Sequence, residues 1–162
     1  MFVRRMYFVN CLLPFVFIGF LISGVFWSSA AERDPLQPRV PLTLLDEVKT
    51  ITNPIHSTQE NIQRGKELFE GIAICSQCHG VGGKGDGAVA VNRGLDPSPR
   101  DFTNVEFHKA RTDGELFWVI NNGSPGTAMP KMTGPGMINE EQAWYVITYI
   151  RTFPQREGET MP

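Results

Sequence analysis

Residues 75–79 read Cys-Ser-Gln-Cys-His, and this pentapeptide constrains the chain more than any other feature. On one helical turn, positions i and i+3 lie on the same side. Cys75 and Cys78 therefore turn their sulfurs one way, and His79, four positions after Cys75, projects from that same side. Such a set suits a flat macrocycle with two vinyl groups along one side and a metal at its centre. C-x-x-C-H is the attachment pattern of c-type haem, with the imidazole as proximal ligand. Two other chemistries use part of the pattern. A thioredoxin-like centre sets C-x-x-C at the start of a helix in a β-α-β pattern, and no alternating strand pattern of useful length occurs here. A zinc site needs more ligands, but there is no second Cys pair, and His56 and His108 stand in unrelated contexts. The expectation is one covalent haem c, held by Cys75 and Cys78 and ligated by His79.

The start of the chain bears on the compartment. Arg4 and Arg5 precede a run from Met6 to Ala31 with no charged residue, rich in Phe, Leu, Ile and Val. A positive start, an apolar centre and small residues (Ser28, Ser29, Ala30, Ala31) describe a secretory signal peptide cut after Ala30. Tyr7 to Trp27 is also 21 residues, long enough for a membrane helix. Residues 1–30 are thus a signal peptide or an N-terminal membrane anchor, with a slight preference for cleavage. Both readings export everything after residue 32, to the periplasm or the outer face of the cytoplasmic membrane. Cleavage removes Cys11, and with it every cysteine but the close pair, so the cysteines read as a site and not a disulfide framework. Without Arg4 and Arg5 the basic residues fall from 15 to 13 against 17 acidic ones, a net of about −4, which is no nucleic-acid footprint.

Residues 31–57 contain Pro35, Pro38, Pro41 and Pro54 and read as an extended arm or tether, with a weak helical signal at 44–49. The domain is expected over 58–153, and residues 154–162 as a tail. Ser57 and Glu60 form an S-x-x-E capping box ahead of a helix carrying Ile62, Leu68 and Phe69 near one face. Gly65 beside that face would let another helix approach closely. Residues 80–105 read as one long Gly- and Pro-rich loop, which in a small domain usually wraps something. A second helix is expected over 112–121, ended by Asn122-Gly123. The last helix starts at Asn139, with Gln142 completing a box, and is stopped by Pro154. Helices and loops on this scale make a poor core alone, so a large apolar cofactor at the centre is expected.

Electron carriers often add a Met opposite the axial His. Met129, Met132 and Met137 are the candidates. Met129 ends the run Asn122-Gly123-Ser124-Pro125-Gly126-Thr127-Ala128, whose Gly and Pro residues would hold a thioether in place. Met132 and Met137 suit adaptable packing better. His108, beside Lys109, reads as a surface residue in a polar loop and only a weak rival ligand.

Cys78-His79-Gly80-Val81-Gly82-Gly83-Lys84-Gly85-Asp86-Gly87 resembles the class I mono-haem cytochrome c family, in the bacterial branch with C-H-G-x-x-G-x-G-D-G. The likeness continues through Leu95–Phe102, Arg111–Gly114, Ala128-Met129-Pro130, and Trp144 with Tyr149, and covers about residues 60–153. It implies an all-α class I cytochrome c fold, a few helices wrapped around one covalent haem, with the first and last helices of the domain crossing near Gly65 and Tyr149. It also implies a proline carbonyl on the far nitrogen of His79, for which both Pro97 and Pro99 qualify, and propionate contacts for which Arg100 and Arg111 are candidates. The implied function is single-electron transfer, not catalysis. The partners would be redox proteins, a donor and an acceptor; the leader adds a possible membrane attachment through residues 7–27.

Overall fold

The computed structural model describes residues 36–154. The leader over 1–30 and most of the tail over 154–162 lie outside the described residues. Among the described residues seven helices follow one another: α1 (Leu42–Lys49), α2 (Gln59–Glu70), α3 (Ser76–His79), α4 (Ala88–Arg93), α5 (Val105–Ala110), α6 (Asp113–Asn122) and α7 (Glu140–Ile150). Among the described residues the only β pairing is an isolated bridge between Thr133 and Ile138, so the all-α class holds.

Local chemistry sets the helix starts. Thr58, not Ser57, caps α2, its hydroxyl accepting from Asn61 N–H at 3.2 Å. The Ser57 box fails because Ser57 lies one residue before the turn at which the backbone becomes helical. Helix α7 opens as expected, with Asn139 and Gln142 satisfying each other's backbone N–H groups. Helix α6 opens on a box that the sequence reading missed: Thr112 accepts from Glu115 N–H, and the Glu115 carboxylate accepts from Thr112 N–H.

Helix α7 is the centre of the molecule. Every residue from Ala143 to Ile150 is buried, so it is covered on all sides. Helix α2 crosses it where a Cβ on Gly65 would overlap the Tyr145 carbonyl oxygen and stand 2.8 Å from Tyr149 Cβ. Only a residue without Cβ lets the backbones come this close. Beside the crossing, Phe69, Tyr149 and Phe153 are all fully buried, their ring centroids 5.1–5.6 Å apart and tilted edge to face. Such pairs add about 0.5–1.5 kcal/mol each beyond their burial. On another side Phe117 of α6 stacks on Trp144 with centroids 3.9 Å apart.

Two sequence expectations are corrected. The segment 80–105 contains α4, which the glycines around it obscured, and α5 follows where a polar loop was expected. The arm is not extended over its described part. Residues 42–49 are helical, and Val40 and Val48 are buried to 4% and 5% exposure against the domain. Two Val side chains removed from water contribute about 1.5–3 kcal/mol each, which offsets part of the cost of ordering the arm.

Candidate functional site

Helix α3 is a single turn. His79 N–H donates to Cys75 C=O at 2.8 Å, so the two thiols and the imidazole are presented as the i, i+3, i+4 spacing requires. The glycine run then folds back on this turn: Gly85 N–H reaches His79 C=O at 2.8 Å, and Gly87 N–H reaches Cys78 C=O at 3.1 Å. These bonds satisfy carbonyls at the C-terminal end of α3 that would otherwise lack partners.

Cys75, Cys78 and His79 line one cavity of about 860 Å³, within the range of pockets that take large cofactors. Its apolar walls come from distant parts of the chain, including Phe102 and Phe107, Leu116 and Ile120 of α6, and Val146 and Ile150 of α7. Met129, Met132 and Met137 all line it as well. Met137 is half exposed, while Met129 and Met132 are partly buried against the core. The Met129 backbone is clamped twice: its N–H donates to Thr127 Oγ1 at 3.1 Å, and its carbonyl accepts from Ser124 N–H at 3.0 Å. Met132 is held by α6 through Ile120 C=O at 2.8 Å.

His79 is buried, and its Nδ1 lies 3.0 Å from Arg100 C=O. A carbonyl can only accept, so Nδ1 carries the proton. Burial also lowers the ring's pKa from 6.5 to about 4, against a smaller opposing effect of the Arg100 carbonyl. The ring is therefore neutral, with the lone pair on Nε2, which is the metal-ligating form. Phe102 stacks on it, centroids 4.4 Å apart and planes 19° apart, and fixes the ring plane. The acceptor belongs to Arg100 and to neither proline: the Pro99 carbonyl is turned toward Gly85, whose missing side chain leaves room for it.

Thiol redox chemistry does not suit this setting. Burial pushes the Cys75 thiol from 9.0 up to about 12, with a further rise from Cys78. A nucleophilic cysteine needs the opposite shift. Zinc fares no better, since no group of three His, Cys, Asp or Glu among the described residues could hold one ion. His108 is not at the surface as expected but half-buried in α5, with Nε2 2.6 Å from Phe102 C=O and Nδ1 3.1 Å from the Arg151 guanidinium.

Among the described residues, one buried side-chain polar atom lacks a partner. Arg111 and Glu115 pair at 2.9 Å with side-chain exposures of 10% and 2%, yet Arg111 Nε has no hydrogen bond. Both residues line the cavity. An unsatisfied buried N–H costs about 1–3 kcal/mol, and an acidic group entering the cavity would relieve it. The apolar walls, the thiol pair, the neutral imidazole, the thioethers and this orphaned N–H together fit a haem, whose carboxylates Arg111 could receive.

The family model described as cytochrome c oxidase, cbb3-type, subunit III matches residues 60–150, more than half of the chain. The chain belongs to this cytochrome c family. Haem-based electron transfer is what a cytochrome c domain of this kind performs. A chain of the reducing HAO-like protein complex of Kuenenia stuttgartiensis is similar in structure, with a TM-score of 0.52 and 29% identity. The similarity covers 62% of the present chain and 46% of that one, so the cytochrome domain spans about half the length of this neighbour. Among curated proteins no match is found.

The sequence reading missed several features of the cytochrome site: the Arg100 carbonyl, the Phe102 stack, the buried Glu115, and the arm residues Gln37, Arg39 and Val40 that line the cavity. Only Glu115 had a readable signal, the Thr112-x-x-Glu115 box.

Proposed function

We propose that this cytochrome domain is a single-electron carrier of an exported respiratory chain, with one haem c bound by Cys75 and Cys78 and ligated by His79 and Met129. The observation that carries the reading is His79, its Nδ1 held by the Arg100 carbonyl, in the wall of a cavity that both thiols line. When bound, the haem iron supplies a one-electron ferrous–ferric couple. The residues do the rest. The two cysteines fix the group on the α3 side, and the Arg100 carbonyl and the Phe102 ring orient His79. The Ser124–Thr127 turn holds Met129 at the cavity. Arg111 would receive a carboxylate of the group, and the apolar walls would keep water out. His79 and Met129 together would leave the iron no position for substrate, which is the reading of an electron carrier and not of an enzyme.

The leader, cleaved or retained, would place this domain in the periplasm or at the outer face of the cytoplasmic membrane, with residues 7–27 as the possible attachment. Its partners would be a redox-protein donor and acceptor, met over small contact areas. That the structural neighbour is part of a protein complex supports protein partners of this kind. A free shuttle and a tethered subunit would use the same site.

The test is haem staining of the denatured protein after expression with the haem-attachment machinery. The wild-type band should stain, Cys75→Ala and Cys78→Ala should stain weakly, and the double variant not at all. An unstained wild-type band rejects covalent haem. Ferrous wild-type protein should also fail to take up carbon monoxide; ready binding would mean an open iron position and a ligand-binding domain.

A further inference from the structure

Resting on the haem reading above, we infer that residues 36–53 form a wall of the haem crevice and, by keeping water from it, help set the reduction potential. The arm reaches the cavity itself, since Gln37, Arg39 and Val40 all line it, and Val40 is buried there. It is clamped at three places. The Arg100 guanidinium reaches Gln37 C=O at 3.5 Å, while the carbonyl of the same Arg100 accepts from His79. One residue thus joins the arm to the axial imidazole. Farther along, α1 lies on α6 so closely that a Cβ on Gly114 would overlap the Val48 carbonyl oxygen and stand 3.0 Å from Ile51 Cβ. At the end of the arm the Asn53 side-chain amide donates to Trp144 C=O at 3.3 Å and to Thr148 Oγ1 at 3.0 Å, both on α7.

A segment that served only as a tether would need none of this. It would not bury Val40 and Val48, and it would not require a glycine on α6 for its own carbonyl to fit. Ferric haem carries more charge than ferrous haem, so water admitted to the crevice favours the ferric state and lowers the potential; burial is one of the levers by which protein tunes haem. Gly114, Val48 and Asn53 act as positioning residues, since they hold Val40 and Gln37 over the cavity without lining it.

The experiment uses the full-length haem-loaded protein and the variants Gly114→Val, Val48→Asp and Asn53→Ala. Two quantities are read: the midpoint potential by spectroelectrochemistry, and the rate of tryptic cleavage after Arg39 and Lys49. Each variant should keep its haem stain, be cut roughly tenfold faster because the arm opens more often, and show a lower potential than wild type. Val48→Asp and Asn53→Ala leave α6 untouched, so they decide if Gly114→Val does not fold. Fast cleavage with an unchanged potential overturns the proposal and makes the arm a docked tether. Unchanged cleavage in both of these variants overturns the clamp. Loss of haem stain from the wild type is a different failure, that of the haem reading beneath it.

Discussion

Ile74 enters the left-handed region at φ 45° immediately before the first haem-motif cysteine. For a β-branched residue this costs about 1–2 kcal/mol, and Ile74, 58% exposed, lines the cavity beside the motif. The turn demands it: Ile74 N–H donates back to Gly71 C=O at 2.9 Å, and Ile74 C=O accepts from Gln77 N–H at 3.1 Å at the start of the motif helix. Strain of this kind persists where surrounding contacts over-determine it. Replacing Ile74 by Asn, which tolerates this conformation, should raise stability by about 1 kcal/mol in denaturant titration; a lower midpoint would show that the side chain contributes more than the backbone costs. Met129 poses the sharper residue-scale question. Met129→Ala should leave the haem attached, lower the potential, open the iron to carbon monoxide, and remove the weak near-red band of sulfur-to-iron charge transfer. Met132→Ala should keep that band and lose only packing, about 2 kcal/mol or somewhat more. Loss of the band in Met132→Ala with survival in Met129→Ala would transfer the ligand role to Met132.

Among elements, the α2–α7 crossing has the least tolerance. Gly65→Ala gains about 1 kcal/mol of helix propensity, but the new Cβ meets the Tyr145 backbone carbonyl, which cannot move aside as a side chain can. Overpacking of a close contact costs about 1–3 kcal/mol, so the net change should be destabilising, read as a lower melting temperature with the haem spectrum intact. A melting temperature at or above wild type would mean that the two helices separate without penalty. Helix α5 is tied to the end of α7 through His108, whose Nδ1 accepts from Arg151 while Arg151 also holds Asp113 at 2.6 Å and Arg111 C=O at 2.7 Å. Burial lowers the His108 pKa below 6.5, opposed by the Phe102 carbonyl; Arg151 lowers it further, and Asp113 opposes that. Between the folded and unfolded values the unfolded chain binds more protons, so this contribution is complete above pH 6.5 and is lost as pH falls through the folded value. NMR titration should place His108 below its ordinary value. An ordinary or raised value would mean that the buried setting of the ring, to which Arg151 adds, does not persist in solution.

For the molecule as a whole, the compartment depends on the leader. Export with cleavage after Ala30 predicts an intact mass that lacks residues 1–30, with the arm starting at Ala31. A mass that includes them would make the protein membrane-anchored. In either form the arm from Leu36 onward packs on the domain, with Val40 and Val48 buried. This packing and the α2–α7 crossing enclose one cavity with contributions from helices and loops far apart in sequence. Its filling by a single rigid group would add apolar contact to the core around α7.

Sequence alone determined the chemistry of one turn and the order of the main helices. Five contiguous residues carry the thiol pair and imidazole, and local spacing suffices to read them. The α6 end at Gly123, the α7 cap at Asn139 and the close approach at Gly65 were likewise local signals. Tertiary structure decided what depends on distant partners. The acceptor for His79 could not be read as Arg100, because it depends on how the loop after the glycines turns. His108 looked solvated because Phe102 and Arg151, which engage it, approach only in the fold. The arm looked like a tether because its prolines are visible in sequence, whereas Gly114 and Asn53 hold it to helices that are distant in the chain. Backbone hydrogen bonds and caps are set by neighbours a few residues away, while burial is set by whichever surfaces meet when the whole chain closes around its cavity.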